Sequence, residues 1–329
     1  MHAADPVELG RSGPRVTRLG LGASVIGGLF APVEQSEAEA VVRAALELGL
    51  RQVDTAPLYG LGASELVCGR VLASVPRETV VVSTKAGRLL RSGAPDAEEL
   101  PEGMWHGRRE GLEPVFDFSA DGIRRSVEES LERLGLDRLD VVYLHDPNDH
   151  MDEAIAEGMP ALRRLQDEGV VGAVGAGMTR PALLARIVRE AEPDCVLIAG
   201  RYSLLDQSAG AELLPACLER GVGVLVGGAF NSGVLAAPAR GARYDYEPAS
   251  PAILARVARL AAGLGEHGVP LAAAALRFPL RHPAVASVVV GARSAEELEE
   301  NVRSFELDVP EELWRDLAER GLLDAEPPV

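Results

Sequence analysis

The chain has 329 residues, 47% hydrophobic and 25% charged, with a formal net charge of −17 at neutral pH. This composition is ordinary for a globular protein, and the negative charge disfavours nucleic acid or an anionic membrane as a partner. Cys68, Cys195 and Cys217 have neither metal-site spacing nor an even count, so they are expected to be core residues in a reducing compartment. No secretory pattern and no apolar run of about 18 residues is visible, so we expect a cytoplasmic protein.

Short strand-like and helical patterns alternate along the chain. Residues 7–20 hold two alternating pieces around Ser12-Gly13-Pro14, which predicts a β-hairpin ahead of the main fold. The first helix is predicted from Ser36, as its N-cap, to Leu48, with Gly49 as its stop. Strands are predicted at 19–24, 51–54, 79–84, 140–145, 171–176, 195–199, 222–227 and 285–290. Further helices are predicted at 63–74, 119–134, 152–168, 181–191, 210–220, 251–266, 270–281, 294–303 and 310–320.

The predicted strands are continuous Val/Ile/Leu runs, which is typical of parallel strands covered by helices on both faces. Eight strand–helix units favour closure of the sheet into a barrel. We therefore predict an α/β fold, a (β/α)8 TIM barrel with an N-terminal β-hairpin and an extra C-terminal helix at 310–320. An open doubly wound sheet is the alternative, although its Gly-x-Gly-x-x-Gly fingerprint is missing. No linker interrupts the chain, so residues 1–329 are expected to form a single domain.

Three predicted strands end on titratable residues. Asp54 ends one, Lys85 ends the next, and His145 ends the one after the long polar and aromatic segment 86–118. Tyr59 follows Asp54 in a Pro-containing loop. Because the carboxyl ends of barrel strands form the active-site face, we expect these four side chains to meet.

This set of side chains indicates proton transfer at an oxygen. A lysine ammonium favours the phenolate of a nearby tyrosine, and an aspartate keeps that lysine charged and oriented. A histidine can orient the reacting carbonyl or alcohol oxygen by hydrogen bonding. The histidines lack metal-ligand spacing, so no metal site is expected, and a site at His145-Asp146 and His150 is the weaker alternative.

Three motifs resemble those of the aldo-keto reductase superfamily: Val-Asp-Thr-Ala-x-x-Tyr-Gly at 53–60, Ser-Thr-Lys at 83–85 and Tyr-Leu-His-Asp-Pro at 143–147. The resemblance covers nearly the whole chain. It implies a TIM barrel that binds a nicotinamide dinucleotide without a Rossmann motif. It also implies a catalytic tetrad at Asp54, Tyr59, Lys85 and His145.

Four further segments, at 104–109, 175–179, 199–207 and 230–233, resemble the aldose 1-dehydrogenase branch. That branch includes L-fucose (D-threo-aldose) dehydrogenases and lies near pyridoxal 4-dehydrogenase and L-galactose dehydrogenase. The resemblance implies NAD(P)-dependent oxidation of a free aldose at C1 to the lactone. An aldehyde or ketone reductase, a pyridoxal dehydrogenase and a non-catalytic nucleotide-binding accessory protein are the alternatives.

The long loop on the strand-end side carries Trp105 and His106, which we expect at the substrate. The partner is expected to be a small sugar or aldehyde, and the protein a monomer or small homo-oligomer. The resemblance implies cofactor contacts at Gly22, Thr179, Gly227, Phe230, Asn231, Ser232, Gly233, Gly291, Arg293, Glu297 and Asn301.

Several of these positions depart from the family pattern. Thr179 stands near the position where this branch tends to have an asparagine that holds the nicotinamide carboxamide. Gly227 stands where many reductases have an aromatic residue that stacks on the nicotinamide ring. Phe230 or the backbone is therefore expected to make that contact. Gly291 and Glu297 stand where NADP-preferring reductases carry basic residues. Because a carboxylate repels a 2′-phosphate, we expect NAD, with NADP as the alternative. Arg293 is expected to share a helical face with Glu297 and to oppose that preference.

Overall fold

The computed structural model describes residues 1–107, 109–239 and 241–324, so Arg108 of the segment 104–109 lies outside the described residues. Eight parallel strands form a closed barrel. Their bounds are Leu19–Gly22 (β1), Gln52–Asp54 (β2), Val81–Ala86 (β3), Leu139–His145 (β4), Val171–Met178 (β5), Cys195–Ala199 (β6), Gly223–Gly227 (β7) and Val285–Val290 (β8). Each strand pairs with the next along the chain, and β8 pairs with β1. The predicted TIM barrel is confirmed.

Helices cover the outside of the barrel. The α-helices are Gln35–Glu47, Ala63–Leu72, Ala120–Leu134, Met151–Glu153, Met159–Asp167, Pro181–Glu190, Leu213–Arg220, Pro251–Glu266, Leu271–Arg277, Ala295–Glu306 and Glu311–Glu319. A π-helical turn, Ala154–Gly158, joins two of them, and short 3-10 turns are formed by Arg77–Thr79, Ser208–Gly210 and Phe278–Arg281. Glu311–Glu319 is the predicted extra C-terminal helix. Within the described ranges, every helix is too short or too polar to cross a bilayer.

The start of the first helix differs from the prediction. The helix begins at Gln35, the preceding Glu34 is extended with φ −64° and ψ 143°, and no side chain caps it. Ser36 therefore lies inside the first turn, and its assignment as the N-cap is wrong. The predicted stop agrees with the structure, because Gly49 follows the helix at φ +80°, a conformation that favours glycine.

The predicted N-terminal hairpin closes the end of the barrel at which the strands begin, called the lower end below. Pro6–Glu8 pairs antiparallel with Arg15–Thr17. Leu9 and Val16 pack with barrel residues that include Tyr143, inside the strand cylinder. The lower end is thus filled by side chains, so a small molecule approaches from the carboxyl ends of the strands.

Long loops with their own structure surround the open end. The long polar and aromatic segment 86–118, for which no strand is predicted, contains an antiparallel pair, Arg88–Arg91 with Glu113–Phe116. A second small pair, Arg243–Tyr244 with Glu247–Pro248, follows β7. Trp105 also forms an isolated antiparallel bridge with Leu29 in the loop after β1. These contacts place the loop carrying Trp105 over the strand ends.

Candidate active site

A cavity of about 500 Å³ lies at the carboxyl ends of the barrel strands. Asp54, Tyr59, Lys85 and His145 all line it. Asp54 ends β2, Lys85 lies one residue before the end of β3, and His145 ends β4. The parallel order of neighbouring strands therefore brings together residues that are far apart in the chain, as the sequence predicts.

Lys85 and Asp54 form a buried ion pair. The Lys85 Nζ donates hydrogen bonds to Asp54 Oδ2 at 2.8 Å and to the Thr55 carbonyl oxygen at 2.9 Å. Ser83 Oγ donates to the other Asp54 oxygen at 2.7 Å. Burial alone would lower the pKa of Lys85, but the charges of Asp54 and Tyr59 outweigh it, so the pKa is raised. The lysine is therefore a fixed positive charge at neutral pH.

Tyr59 lies between this ion pair and two other rings. Lys85 Nζ is 4.7 Å from the centroid of the Tyr59 ring, the Trp105 ring centroid is at 5.5 Å, and the His145 ring meets it edge-on at 6.0 Å. Gly60 allows this placement, because its φ is +63° and an added Cβ would lie 2.4 Å from the Gly27 carbonyl oxygen. Burial raises the pKa of Tyr59, while the Lys85 charge opposes that rise.

His145 is a neutral, buried imidazole. Burial, reinforced by the charges of Arg88 and Lys85, lowers its pKa well below the ordinary value. Its Nδ1 has no hydrogen-bond partner among the described residues, and its Nε2 is 3.8 Å from Asp146 Oδ2. A neutral imidazole carries one N–H donor, which suits it to hydrogen-bond an oxygen placed beside Tyr59.

Most of the other predicted site residues share this cavity. Those that line it are Trp105, Gly22, Thr179, Gly227, Phe230, Asn231, Ser232, Gly233, Gly291, Arg293 and Glu297. Within the described ranges, the lining does not include His106 or Asn301. His106 instead donates its backbone N–H to the Gly28 carbonyl at 2.8 Å, and the Asn301 side chain donates to the Gly291 carbonyl at 3.4 Å. These two residues hold cavity-wall loops in place.

Asn231 and Ser232 also use their side chains within the protein. The Asn231 amide accepts a hydrogen bond from Ser203 Oγ at 2.6 Å and donates one to the Gly200 carbonyl at 3.1 Å. Ser232 Oγ accepts a hydrogen bond from the Tyr246 backbone N–H at 3.0 Å. Both residues have positive φ. They therefore fix the turn after β7 while lining the cavity.

At the far end of the cavity, Glu297 lies in the first turn of helix Ala295–Glu306. Its Oε2 accepts a hydrogen bond from the backbone N–H of Arg293 at 2.8 Å. The expectation that Arg293 and Glu297 share one helical face is wrong, because Arg293 precedes the helix and its N-cap, Ser294. The glutamate contacts the main chain of Arg293, so no ion pair between them is needed to hold it there.

Comparison with known proteins assigns the family. The model of the aldo/keto reductase family matches residues 18–320. The chain belongs to the aldo/keto reductase family. This aldo/keto reductase is an oxidoreductase, and members of its family use NAD or NADP.

Its relatives include enzymes with several named substrates. The sequence is 45% identical to D-threo-aldose 1-dehydrogenase from Pseudomonas sp, over 95% of this chain and 96% of that protein. It is 42% identical to pyridoxal 4-dehydrogenase from Microbacterium luteolum, over 98% and 99%. An aldo-keto reductase from Bacillus halodurans, solved in its holo form, superposes with a TM-score of 0.78 at 26% identity, covering 98% of this chain and 97% of its own. The resemblance to the family is thereby confirmed.

The cavity of this aldo/keto reductase also contains charged residues to which the sequence assigns no catalytic or binding role. Arg88, Glu98 and Asp146 line it beside His145. Glu65 and Arg133 form a second buried ion pair, next to β3 on the outside of the barrel. Glu65 accepts hydrogen bonds from Thr84 Oγ1, in β3, at 2.7 Å and from Arg133 Nε at 2.6 Å. In the sequence these charged residues read as solvated, because nothing local shows that they are enclosed.

Proposed function

We propose that this aldo/keto reductase oxidises a free aldose of L-fucose-like configuration at C1, converting the cyclic hemiacetal to a lactone. The observation that carries the proposal is the meeting of Tyr59 with the Lys85–Asp54 pair and His145 in one cavity. The 45% identity to D-threo-aldose 1-dehydrogenase supports the substrate class. Pyridoxal is the second candidate, supported by the 42% identity to pyridoxal 4-dehydrogenase.

In this proposal Tyr59, as phenolate, accepts the proton of the C1 hydroxyl. Lys85, whose Nζ lies 4.7 Å from the centroid of the Tyr59 ring, stabilises the phenolate, and Asp54 holds the ammonium in place through its 2.8 Å hydrogen bond. His145 donates a hydrogen bond to the same substrate oxygen and fixes its distance from Tyr59. A nicotinamide dinucleotide bound in this cavity would supply the hydride acceptor for C1. The products are lactone, reduced cofactor and one proton.

The cavity residues fit a dinucleotide. Gly22, Gly227 and Gly291 present main chain to the cavity without side chains. At Gly291 an added Cβ would lie 2.4 Å from Val25 Cγ2, so only glycine lets this wall pack as it does. We propose that NAD is preferred, with NADP as the alternative. The Glu297 carboxylate would accept a hydrogen bond from a ribose 2′-hydroxyl and repel a 2′-phosphate.

We further propose that residues 1–329 act as one domain, as a monomer or small homo-oligomer in the cytoplasm. A single closed barrel accounts for the strands from β1 to β8. The three cysteines are all buried and free, which suits a reducing compartment.

The test is a panel of free aldoses and pyridoxal, each with NAD and with NADP, followed by absorbance of the reduced cofactor. We expect turnover of an L-fucose-like aldose and none of its methyl glycoside, because the glycoside lacks the C1 hydroxyl proton. Tyr59→Phe should keep the fold and cofactor affinity while lowering kcat by about 10²–10⁴-fold. Turnover of the glycoside, or a wild-type rate in Tyr59→Phe, would contradict the proposal.

A further inference from the structure

A charged group of three residues forms the cavity wall next to His145. Arg88, Glu98 and Asp146, called the Arg88 cluster below, all line the cavity. Arg88 Nη1 is 3.2 Å from Glu98 Oε2, and Arg88 Nη2 is 3.6 Å from Asp146 Oδ2. Asp146 Oδ2 in turn is 3.8 Å from His145 Nε2. The cluster therefore adjoins the side chain that would orient the reacting oxygen.

The backbone holds each member of the cluster in position. Gly87 has φ +96°, and an added Cβ would lie 2.2 Å from a ring carbon of Phe118, so the chain turns there as only glycine can and Arg88 follows directly. The guanidinium lies 4.8 Å from the centroid of the Phe116 ring. The Glu98 N–H donates to the Pro114 carbonyl at 2.8 Å, and the Asp146 N–H donates to the Gly177 carbonyl at 3.0 Å. This wall is preorganised.

The cluster keeps unused hydrogen-bonding capacity. The Arg88 side chain is only 7% exposed. In the part of the chain that the structure describes, Arg88 Nε and Asp146 Oδ1 are buried and have no hydrogen-bond partner. Glu98 Oε2 is buried too, and its 3.2 Å contact with Arg88 Nη1 is an ion pair without hydrogen-bond geometry. Trp105, which also lines the cavity, has a buried indole Nε1 without a hydrogen-bond partner among the described residues. Buried polar atoms without a partner are rare in folded proteins and call for a ligand or water that satisfies them.

The charges of the cluster define what kind of group suits it. One guanidinium and two carboxylates leave an excess of negative charge, which disfavours a carboxylate or phosphate. Burial raises the pKa of Glu98 and of Asp146 against the opposing charge of Arg88, so the carboxylates need additional donors. A neutral hydroxyl donates to a carboxylate and at the same time accepts from a guanidinium or indole N–H.

We infer that the Arg88 cluster is the specificity subsite that recognises adjacent ring hydroxyls of the sugar, away from the reacting C1. This inference rests on the proposed aldose oxidation. A site that binds a hydroxyl through hydrogen bonds discriminates strongly against analogues that lack it, because its own polar groups are then left unpaired. Each hydroxyl held by a charged partner is worth about 10- to 150-fold in kcat/KM.

The experiment measures coupling between sugar hydroxyls and the cluster. The kcat/KM values for L-fucose and its 2-, 3- and 4-deoxy analogues are compared in wild type, Glu98→Gln and Arg88→Met. In wild type, at least one deoxy analogue should lose about 10- to 150-fold. In the variants the same deletion should cost several-fold less than in wild type, because the charged partner has been replaced by a neutral amide or an apolar side chain. Each deoxygenation also changes the intrinsic reactivity of C1, but it does so equally in wild type and in the variants. Comparing the loss in wild type with the loss in each variant therefore cancels that change.

Glu99→Gln is the matched control, since Glu99 is the next residue, is exposed, and carries the same charge. This variant should have the same ratios of kcat/KM between L-fucose and each deoxy analogue as wild type. Thermal unfolding of each variant shows whether it folds, and Glu98→Gln keeps the side-chain shape if Arg88→Met does not fold. Aldose turnover with identical deoxy penalties in wild type and folded variants would overturn the subsite alone. Absence of any aldose turnover by wild type would overturn the proposed function, and the subsite with it.

Discussion

Lys85→Met tests the electrostatic core of the proposed mechanism. Oxidation needs Tyr59 ionised, so its rate should rise with pH through the pKa of Tyr59, which burial raises and Lys85 opposes. Removing the ammonium raises that pKa further, so the rise in rate moves to higher pH. Taking the 4.7 Å between Lys85 Nζ and the Tyr59 ring centroid as the charge separation, with an effective dielectric constant of about 20, gives a lost attraction of about 3.5 kcal/mol, or roughly 400-fold in rate at neutral pH.

The assay is the pH profile of kcat/KM for aldose oxidation in wild type and Lys85→Met. The double variant Asp54→Asn/Lys85→Met is the control, because it removes the uncompensated Asp54 charge, which also raises the pKa of Tyr59. The double variant should therefore show a smaller displacement of the profile than Lys85→Met. A wild-type profile and rate in folded Lys85→Met would refute the idea that the ammonium stabilises the phenolate.

Two further predictions concern the cofactor and stability. Glu297→Arg should raise the ratio of NADP to NAD efficiency by at least tenfold, about 1.4 kcal/mol, whereas Glu297→Gln, which keeps an acceptor for the Arg293 N–H, should raise it less. Unchanged steady-state ratios would mean that Glu297 does not lie at the ribose. Arg133→Met should lower the free energy of unfolding in urea by about 3–5 kcal/mol, because it leaves the fully buried Glu65 carboxylate without its cationic partner. Adding Glu65→Leu should recover most of that loss, and a single variant as stable as wild type would contradict the argument.

The barrel and the meeting of its strand-end residues could be predicted because both follow from order along the chain. Each apolar run that ends on a titratable residue places that residue on the same face once the strands are parallel. Asp54, Lys85 and His145 obey this rule without any knowledge of loop geometry. The position of Tyr59 near them could also be predicted, because only a short loop separates it from Asp54.

The Arg88 cluster could not be predicted in the same way. Arg88 faces the cavity because Arg88–Arg91 pairs with Glu113–Phe116, across a long irregular connection. That pairing depends on contacts distant in sequence, and a polar loop carries no periodicity that reveals them. The side-chain bonds of Asn231 illustrate the same limit, since the sequence shows a residue after a strand but not which neighbours its amide meets.

The N-terminal hairpin has a consequence for synthesis of the chain. It docks on parts made much later, through the Arg11 N–H to the Gly221 carbonyl at 3.0 Å and Arg18 Nη1 to the Ala286 carbonyl at 3.2 Å. At about 5–20 residues per second, the ribosome needs roughly 15–55 s to pass from the hairpin to β8. The hairpin therefore cannot complete its docking until β8 has been made, and Leu9 and Val16, which pack with Ala286 and Val289 of that strand, stay incompletely covered on the nascent chain during that interval.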